Sequence, residues 1–320
     1  MKILVTGGAG FIGSHVVDRF VDDGHDVSVV DSLVSGDADQ VHPEATLYEV
    51  DIRDPKVEEV FEEVRPQVVV HHAAQMDVRR SVTDPIYDAE VNILGTLRLL
   101  EYGRTRGLER FVHISTGGAV YGEPREMPVS EDHPIDPLSP YGVTKHTAEH
   151  YLFIYRQLYG LPYVVLRYAN VYGPRQSVHG EAGVVAIFSE RILKGERCTI
   201  FGDGSKTRDY VFVGDIVEAN VAALSKGDGG IFNLGRGVQT SDFEVFDEVR
   251  KALGVPDVEC LYDEKRPGEI EHICLTPARA KEGLGWEPTV DFAEGIGRTV
   301  GFYREHLRRA GVPIAIEAND

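Results

Sequence analysis

Cysteine, basic residues and long apolar runs are all scarce in this chain of 320 residues. Its three cysteines, Cys198, Cys260 and Cys274, are too widely spaced for a zinc site or a disulfide framework. Lysine and arginine number 33 against 52 acidic residues, which gives a formal charge of −19. This excess argues against nucleic acid, whose binding requires a basic surface. No run approaches the roughly 20 apolar residues that cross a bilayer, so we predict no membrane partner.

The N-terminus has no signal-peptide cleavage pattern, because its short apolar stretch leads directly into glycines. We interpret that stretch as a first strand and expect a cytoplasmic protein.

Short apolar runs alternate with longer amphipathic ones in the first half of the chain. The apolar runs predict strands at Ile3–Thr6, Asp26–Val30, Thr46–Val50, Val68–His72, Phe111–Ser115 and Tyr163–Tyr168. The stretches between them predict helices near Gly13–Asp23, Lys56–Val64, Asp88–Arg106 and Pro140–Tyr159. Strands separated by helices imply parallel crossovers, so we predict an α/β fold with a doubly wound parallel sheet of the Rossmann type.

The pattern becomes irregular after about residue 170, where loops rich in glycine and proline appear. We predict a first domain over residues 1–170 and a smaller, mixed α/β C-terminal domain over residues 171–320. The boundary leaves open that later strands return to the main sheet. The last residues, 312–320, are predicted to form a loose tail.

Three glycines, Gly7, Gly10 and Gly13, follow the first strand at three-residue spacing and open a helix. Glycine lets the backbone approach a pyrophosphate closely, and the helix N-terminus offers N–H donors and a positive dipole end. Asp31 ends the second strand, where a carboxylate accepts hydrogen bonds from ribose hydroxyls and repels a 2′-phosphate. The combination predicts NAD as the cofactor. Asp51 and Ile52, after the third strand, are candidates for the adenine edge.

Tyr141 and Lys145 lie four residues apart on a predicted helix and therefore share one of its faces. A tyrosine with a pKa near 10 is a poor base at neutral pH, but a neighbouring ammonium favours the phenolate. The pair can thus supply a general base. The overlapping stretch from His146 to His150 fits the H-x-x-E-H zinc pattern. No third ligand is evident, so we predict no metal.

These motifs together resemble an extended short-chain dehydrogenase/reductase of the NAD-dependent epimerase/dehydratase family. The matching segments are Gly7–Gly13, Asp31, His72–Gln75, Asn92, Ser115–Gly122, Tyr141–Lys145, Leu166–Asn170 and Arg208–Tyr210. The second half, through Gly202–Asp215 and Arg266–Glu269, is most similar to the UDP-glucose 4-epimerase branch. The resemblance implies an isomerase that inverts C4 of a UDP-hexose. Hydride passes from C4 to NAD and returns to the other face of a transient 4-keto sugar.

The resemblance also implies the site residues. Tyr141 is the expected base, and Lys145 binds the nicotinamide ribose and tunes Tyr141. The expected cofactor contacts are Gly7, Gly10, Phe11, Ile12, Gly13, Asp31, Asp51, Ile52, Ala73, Ala74, Gln75, Asn92, Ser115, Tyr141, Lys145 and Tyr168. The expected substrate contacts are Thr116, Tyr141, Asn170, Val184, Val185, Arg208, Arg266, Glu269 and Ile273.

One position departs from the family pattern. The family carries a Ser or Thr, hydrogen-bonded to the reacting oxygen, three residues before the Val of Val-Tyr-Gly. Here that position is Gly117, so we expect Thr116, or else Ser115 or a water, to supply the hydroxyl.

The exact reaction and assembly stay open at this point. Alternatives are an N-acetylhexosamine or uronate epimerase, a dehydratase, a decarboxylase, a reductase, or a non-catalytic NAD-binding scaffold. Dehydratases of the family carry an Asp-Glu pair where this chain has Gly118 and Ala119. Ile273 replaces a tyrosine that walls the sugar pocket, which predicts tolerance for an N-acetylated hexose. We also predict a homodimer, with helices 88–106 and 140–159 pairing across a twofold axis as in relatives of the family.

Overall fold

A seven-stranded parallel sheet lies at the centre of the protein. The structure is a computed structural model that describes residues 1–178, 183–265 and 270–316. Its strands are β1 (Lys2–Thr6), β2 (Asp26–Asp31), β3 (Thr46–Glu49), β4 (Val68–His71), β5 (Arg110–Thr116), β6 (Tyr163–Tyr168), β7 (Asn170–Tyr172), β8 (Thr199–Phe201), β9 (Thr207–Arg208), β10 (Tyr210–Phe212), β11 (Gly230–Leu234), β12 (Thr240–Ser241) and β13 (Leu261–Asp263). The central sheet has the order β11-β6-β5-β4-β1-β2-β3. The other strands pair two by two, as β7 with β10, β9 with β12 and β8 with β13.

Helices cover the sheet and build the smaller half. They are α1 (Phe11–Asp22), α2 (Val57–Val64), α3 (Val78–Thr83), α4 (Pro85–Ala89), α5 (Thr96–Thr105), α6 (Pro140–Tyr159), α7 (Val184–Leu193), α8 (Val213–Ala223), α9 (Asp242–Ala252), α10 (Ala278–Leu284) and α11 (Phe292–Arg309). A π-helical turn, Glu90–Gly95, joins α4 to α5. None of the described helices is long and apolar enough to cross a membrane.

The ends of α6 follow from local chemistry. The Ser139 hydroxyl accepts a hydrogen bond from the N–H of Gly142, and Pro140 occupies the first turn, where its missing N–H costs nothing. Gly160 ends the helix at φ +70°, a left-handed conformation that glycine adopts without strain. The prediction of Pro140–Tyr159 is therefore confirmed at both ends.

The hydrophobic core has a separate cluster in the second half. Phe188 on α7, Phe246 on α9 and Ile296 on α11 belong to a buried group in which these three helices pack together. The main sheet is nevertheless completed from this half, because β11 pairs in parallel with β6. The predicted α/β class with a doubly wound parallel sheet is confirmed.

Two local predictions need correction. The segment predicted as one helix from Asp88 to Arg106 is instead α4, the π-helical turn and α5. The predicted loose tail is packed as far as Ile316, which contacts the second core cluster together with Ile314. The alternation of apolar residues at Val312, Ile314 and Ile316 was the sequence feature that indicated this packing. Residues 317–320 lie outside the described part of the chain.

Candidate active site

The carboxyl end of β1 is a topological switch point, where the direction of sheet building reverses. From β1 the chain proceeds to β2 and β3 on one side, and then to β4, β5 and β6 on the other. Open α/β sheets bind their ligands at such switch points.

The glycine loop after β1 is closely packed. Gly7 has φ +71°, and a Cβ built on it would lie 2.6 Å from the backbone N of Ala73. A Cβ on Gly13 would lie 2.2 Å from the carbonyl oxygen of Gly7. Helix α1 starts at Phe11, and its N-cap residue Gly10 has no side chain to satisfy the first N–H groups. The loop therefore presents uncapped N–H donors at a helix N-terminus, which fits a pyrophosphate.

Asp31 is held at the end of β2 against this loop. Its carboxylate accepts hydrogen bonds from the N–H groups of Ala9, at 3.0 Å, and Leu33, at 2.9 Å. A buried, pre-oriented carboxylate at this place suits the ribose hydroxyls of a dinucleotide.

Asp51 and Ile52, the candidates for the adenine edge, both contact other residues of the protein. Arg53 donates to both carboxylate oxygens of Asp51, and these hydrogen bonds hold the pKa of Asp51 below its usual value. Ile52 is buried and packs against the position of Gly95 in the π-helical turn.

The loop after β4 packs against the glycine loop at this switch point. The N–H of Ala73 donates to the carbonyl of Thr6 at 3.0 Å, which ties this loop to the end of β1. Asn92 accepts from the N–H of Gln75 at 2.9 Å and donates to its carbonyl at 3.0 Å. The segment that includes Ala74 is therefore fixed at both ends. Asn92 lies in the π-helical turn, a distortion that is frequent at functional sites.

Tyr141 and Lys145 lie one turn apart on the first half of α6. Tyr141 is half-buried and Lys145 is buried. Burial lowers the pKa of Lys145 to about 8, while the negative charges of Glu149 and Asp88 oppose that shift. A buried ammonium one helical turn from a tyrosine favours the phenolate, because the positive charge is poorly screened there.

Three histidines lie near this ammonium without adding charge. Burial lowers the pKa of His71, His72 and His113, and the nearby Lys145 lowers each of them further. The imidazoles are therefore neutral at physiological pH. His71 bridges the hydroxyls of Thr6 and Thr96 at 2.7 and 2.9 Å.

The two candidate hydroxyls at the end of β5, those of Ser115 and Thr116, lie in different environments. Ser115 donates to Glu149 at 2.6 Å in the protein interior, whereas Thr116 is half-buried at the strand end. A Cβ built on Gly118 would lie 3.8 Å both from the Thr116 hydroxyl and from the Asn170 amide oxygen. Thr116 and Asn170 thus flank one small space beside the strand end. Tyr168, paired with Thr116 across the sheet, accepts a hydrogen bond from Asn220.

The remaining candidates for sugar binding are spread over the smaller half. Val184 begins α7 and is half-buried, while Val185 is fully buried in the second core cluster. Arg208 donates to the carbonyls of Thr207 and Glu271. Ile273 is buried in a cluster with Val120, Tyr121 and Leu275. Arg266 and Glu269 lie outside the described residues.

A buried ion pair behind the site was missed by the sequence analysis. Glu149 receives two hydrogen bonds from Arg167, whose Nε lies 3.0 Å from Oε1. Burial by itself raises the pKa of Glu149, but hydrogen bonds from His146, Arg167 and Ser115 and the Arg167 charge together lower it to about 2. Glu149 lies one turn beyond Lys145 on α6, so the i, i+4 spacing was the available signal.

The ion pair with Arg167 also accounts for the glutamate of the H-x-x-E-H pattern. Glu149 is occupied by Arg167, and His146 and His150 contact each other at 3.0 Å. Within the described ranges, no group of three or more metal-binding side chains exists.

The fold and the site define a dinucleotide-binding α/β protein with the Tyr-Lys pair of the short-chain dehydrogenases. The model of the NAD dependent epimerase/dehydratase family matches residues 3–235, and the chain belongs to that family. The family recognised from the sequence is thereby confirmed.

Relatives with named activities are similar over nearly the whole chain. UDP-glucose 4-epimerase of Mycolicibacterium smegmatis is 49% identical over 310 residues, which cover 95% of this chain and 99% of the relative. A crystal structure of UDP-glucose 4-epimerase with UDP-glucose from Thermotoga maritima has a TM-score of 0.94 at 48% identity, covering 96% of this chain and 100% of that one. UDP-glucose 4-epimerase of Thermus thermophilus in complex with NAD has a TM-score of 0.90 at 47% identity, covering 95% and 99%. These similarities support the predicted cofactor, substrate class and reaction.

Proposed function

We propose that this protein is an NAD-dependent UDP-hexose 4-epimerase that interconverts UDP-glucose and UDP-galactose. The observation that carries the proposal is the half-buried Tyr141 one turn from the buried Lys145 ammonium on α6. The similarity to UDP-glucose 4-epimerases over at least 95% of the chain supports this substrate and reaction.

The residues divide the chemistry among them. Tyr141, as phenolate, accepts the proton of the sugar 4-hydroxyl, and the Lys145 ammonium stabilises that phenolate. Thr116 donates to the reacting oxygen in place of the usual residue at position 117. The chemistry that NAD would supply here, when bound, is acceptance of the hydride from C4 and its return. Tyr141 then gives its proton back, so the protein ends in the state in which it began.

The two halves of the chain support a division of binding. We assign the dinucleotide to residues 1–170, where the glycine loop and Asp31 fit a pyrophosphate and a ribose. We assign the sugar nucleotide to residues 171–320, with Asn170 at their border. Arg208 and Arg266 suit its phosphates because guanidinium binds phosphate in a bidentate manner.

A dehydratase is disfavoured by the same geometry. Elimination of water needs an acid near the sugar, and Gly118 and Ala119 hold the positions of the expected acidic pair. The space beside Gly118 is flanked by the hydroxyl of Thr116 and the amide of Asn170. These groups can orient a sugar oxygen but cannot protonate a leaving hydroxide at neutral pH.

Substitution of Tyr141 by phenylalanine tests the proposal. We expect Tyr141→Phe to keep NAD, released on denaturation, while UDP-glucose/UDP-galactose interconversion falls at least about a hundredfold, the usual scale for a lost general base. Tyr159→Phe is a matched control, since Tyr159 lies on the same helix and is exposed. Near-normal turnover by Tyr141→Phe would contradict the mechanism. Absence of interconversion by the wild type would contradict the function.

An exposed apolar face on α6 supports the predicted homodimer. Val143, Phe153, Ile154 and Leu158 are all at least 43% exposed, and Leu94 of the adjoining π-helical turn is also exposed. Exposed patches of this kind mark interaction surfaces. A second copy related by a twofold axis would cover each face with its equivalent.

A further inference from the structure

Asp88 is a carboxylate that the reaction scheme above does not use. It lies on α4, a five-residue helix, and it is completely buried, with 0% exposure. Aspartate is almost never fully buried unless its charge is matched or its oxygens are hydrogen-bonded. Its burial therefore needs a reason.

The two carboxylate oxygens collect donors from three different elements. Oδ1 accepts from Gln75 Nε2 at 2.8 Å and from Asn92 Nδ2 at 3.1 Å. Oδ2 accepts from Thr144 Oγ1 at 2.7 Å. Gln75 belongs to the loop after β4, Asn92 to the π-helical turn, and Thr144 to α6. Asp88 is thus the common acceptor that joins the loop after β4 to α6, the helix that carries Tyr141 and Lys145.

Thr144 makes this connection specific, because it immediately precedes Lys145. The hydroxyl of Thr144 also receives a hydrogen bond from Asn92 at 3.1 Å. Asp88 and Asn92, which both bond the Thr144 hydroxyl, are also hydrogen-bonded to each other. Loss of the carboxylate would leave buried donors without an acceptor, which is costly in a protein interior.

The charge of Asp88 has no direct partner in the described part of the chain, where no ion pair includes it. The charged or titratable groups near Lys145 are Tyr141 one turn away on α6, the carboxylates of Glu149 and Asp88, and the neutral imidazoles of His71, His72 and His113. The charge of Glu149 is matched by Arg167. Asp88 has no such ion-pair partner in the described chain, and its charge, after that of Glu149, raises the pKa of Lys145 against the effect of burial.

We propose that Asp88 is a positioning residue for the proposed epimerase reaction, a buried carboxylate that fixes α6 against the loop after β4 and adds negative charge near Lys145. The inference rests on the proposed function for its effect on turnover. Its effect on Lys145 is independent of the substrate. A neutral lysine would no longer stabilise the Tyr141 phenolate, so loss of the Asp88 charge acts on the base through Lys145.

The decisive variant is Asp88→Asn, which keeps the shape and removes the charge. The titration of Lys145 is followed by the chemical shift of its ε-carbon in 13C-lysine-labelled protein, assigned with Lys145→Met. We expect the midpoint to fall by about one pH unit or more, the scale of one opposite charge nearby. We also expect turnover to fall at least about tenfold, and the alkaline limb of its pH profile, where Lys145 loses its proton, to move to lower pH. Asp257→Asn, at an exposed position, should change neither measurement.

Thr144→Val separates position from charge, because it removes the donor and keeps the carboxylate. We expect reduced turnover with an unchanged Lys145 midpoint. Thr144→Val also tests the positioning role if Asp88→Asn does not fold, since full turnover by Thr144→Val would overturn that role. An unchanged Lys145 midpoint in folded Asp88→Asn would overturn the role of the Asp88 charge. A wild type without epimerase activity would overturn the proposed function, whereas the titration would still test Asp88.

Discussion

Gly117 stands where the resemblance to the family predicts a catalytic hydroxyl, and Leu275 occupies the space that a side chain there would need. A Cβ built on Gly117 would lie 2.2 Å from Leu275 Cδ1, and the other near atoms of Leu275 are at 3.1 and 3.2 Å. Carbon atoms in contact are normally about 3.5–4.0 Å apart. Leu275 therefore already fills the volume that a residue at position 117 would need.

Leu275 has little freedom to move aside. It is 1% exposed and packs in the cluster that contains Val120 and Val129. Its N–H donates to Asp209 at 3.0 Å, and hydrogen bonds between Val129 and the residues on either side of Leu275 fix the local backbone. Gly117→Ala thus forces a repacking that costs about 1–3 kcal/mol.

The backbone conformation of Gly117 would otherwise favour alanine. Gly117 is absent from the glycines with positive φ in the described chain, so Ala reduces the entropy of the unfolded state and stabilises by about 0.4–1 kcal/mol. The two ranges combine to a net loss of about 0–2.6 kcal/mol in the free energy of unfolding, with a central value near 1 kcal/mol. With Leu275→Ala, itself costing about 2–5 kcal/mol, the obstruction disappears and Gly117→Ala should become stabilising. The sign of the stability change caused by Gly117→Ala thus depends on the residue at position 275.

Urea unfolding can measure this double-mutant cycle. Trp286, the sole tryptophan, is 4% exposed and reports loss of the core by fluorescence. NAD must be kept at one concentration, because a bound ligand adds to the apparent stability. Gly118→Ala is the matched control, since a Cβ there meets no atom nearer than 3.8 Å. Effects of Gly117→Ala that agree within about 0.5 kcal/mol in the two backgrounds would refute the reasoning.

Other expectations concern assembly, selectivity and acid stability. Phe153→Glu should yield monomers in light scattering, whereas Val238→Glu, at a similarly exposed site elsewhere, should not; a monomeric wild type contradicts the dimer. The wild type should turn over UDP-N-acetylglucosamine, and Ile273→Tyr should lower that rate relative to UDP-glucose; an unchanged ratio means that this wall does not select. Glu149→Gln should lose about 3–5 kcal/mol, because it leaves the Arg167 charge buried and unpaired. Since the Glu149 pKa is depressed from 4.5 to about 2, its contribution is present above pH 4.5 and lost as pH falls toward 2; an equally steep acid loss of stability in Glu149→Gln refutes this.

Local patterns predicted much of the fold because they report contacts between near neighbours. Helix α6 could be placed at both ends from Pro140 in the first turn and Gly160 beyond the last. The glycine loop and Asp31 were predictable for the same reason, since their spacing follows from one βαβ unit.

The supporting residues were not predictable in this way, because their partners are distant in sequence. Asp88 and Thr144 are 56 positions apart, and Leu275 meets Gly117 from the other end of the chain. Periodicity indicates which face of a helix is buried, but it does not indicate which side chain it meets. The missing hydroxyl at position 117 could be seen in the sequence, whereas the residue that fills its space could not.

The chain and its proposed ligands carry charge of the same sign, and the glycine loop shows how this is overcome. The net charge of −19 is spread over the surface and is screened within about 8 Å at physiological salt. The pyrophosphate would instead meet N–H dipoles at the start of α1, where Gly10 leaves them uncapped and the helix end is positive. Two buried carboxylates near the site, Glu149 and Asp88, are held by Arg167 and by hydrogen-bond donors. Glu149 and Asp88 raise the pKa of Lys145 against burial, Asp31 would face the ribose, and the glycine loop would offer neutral backbone N–H groups to the dinucleotide phosphates.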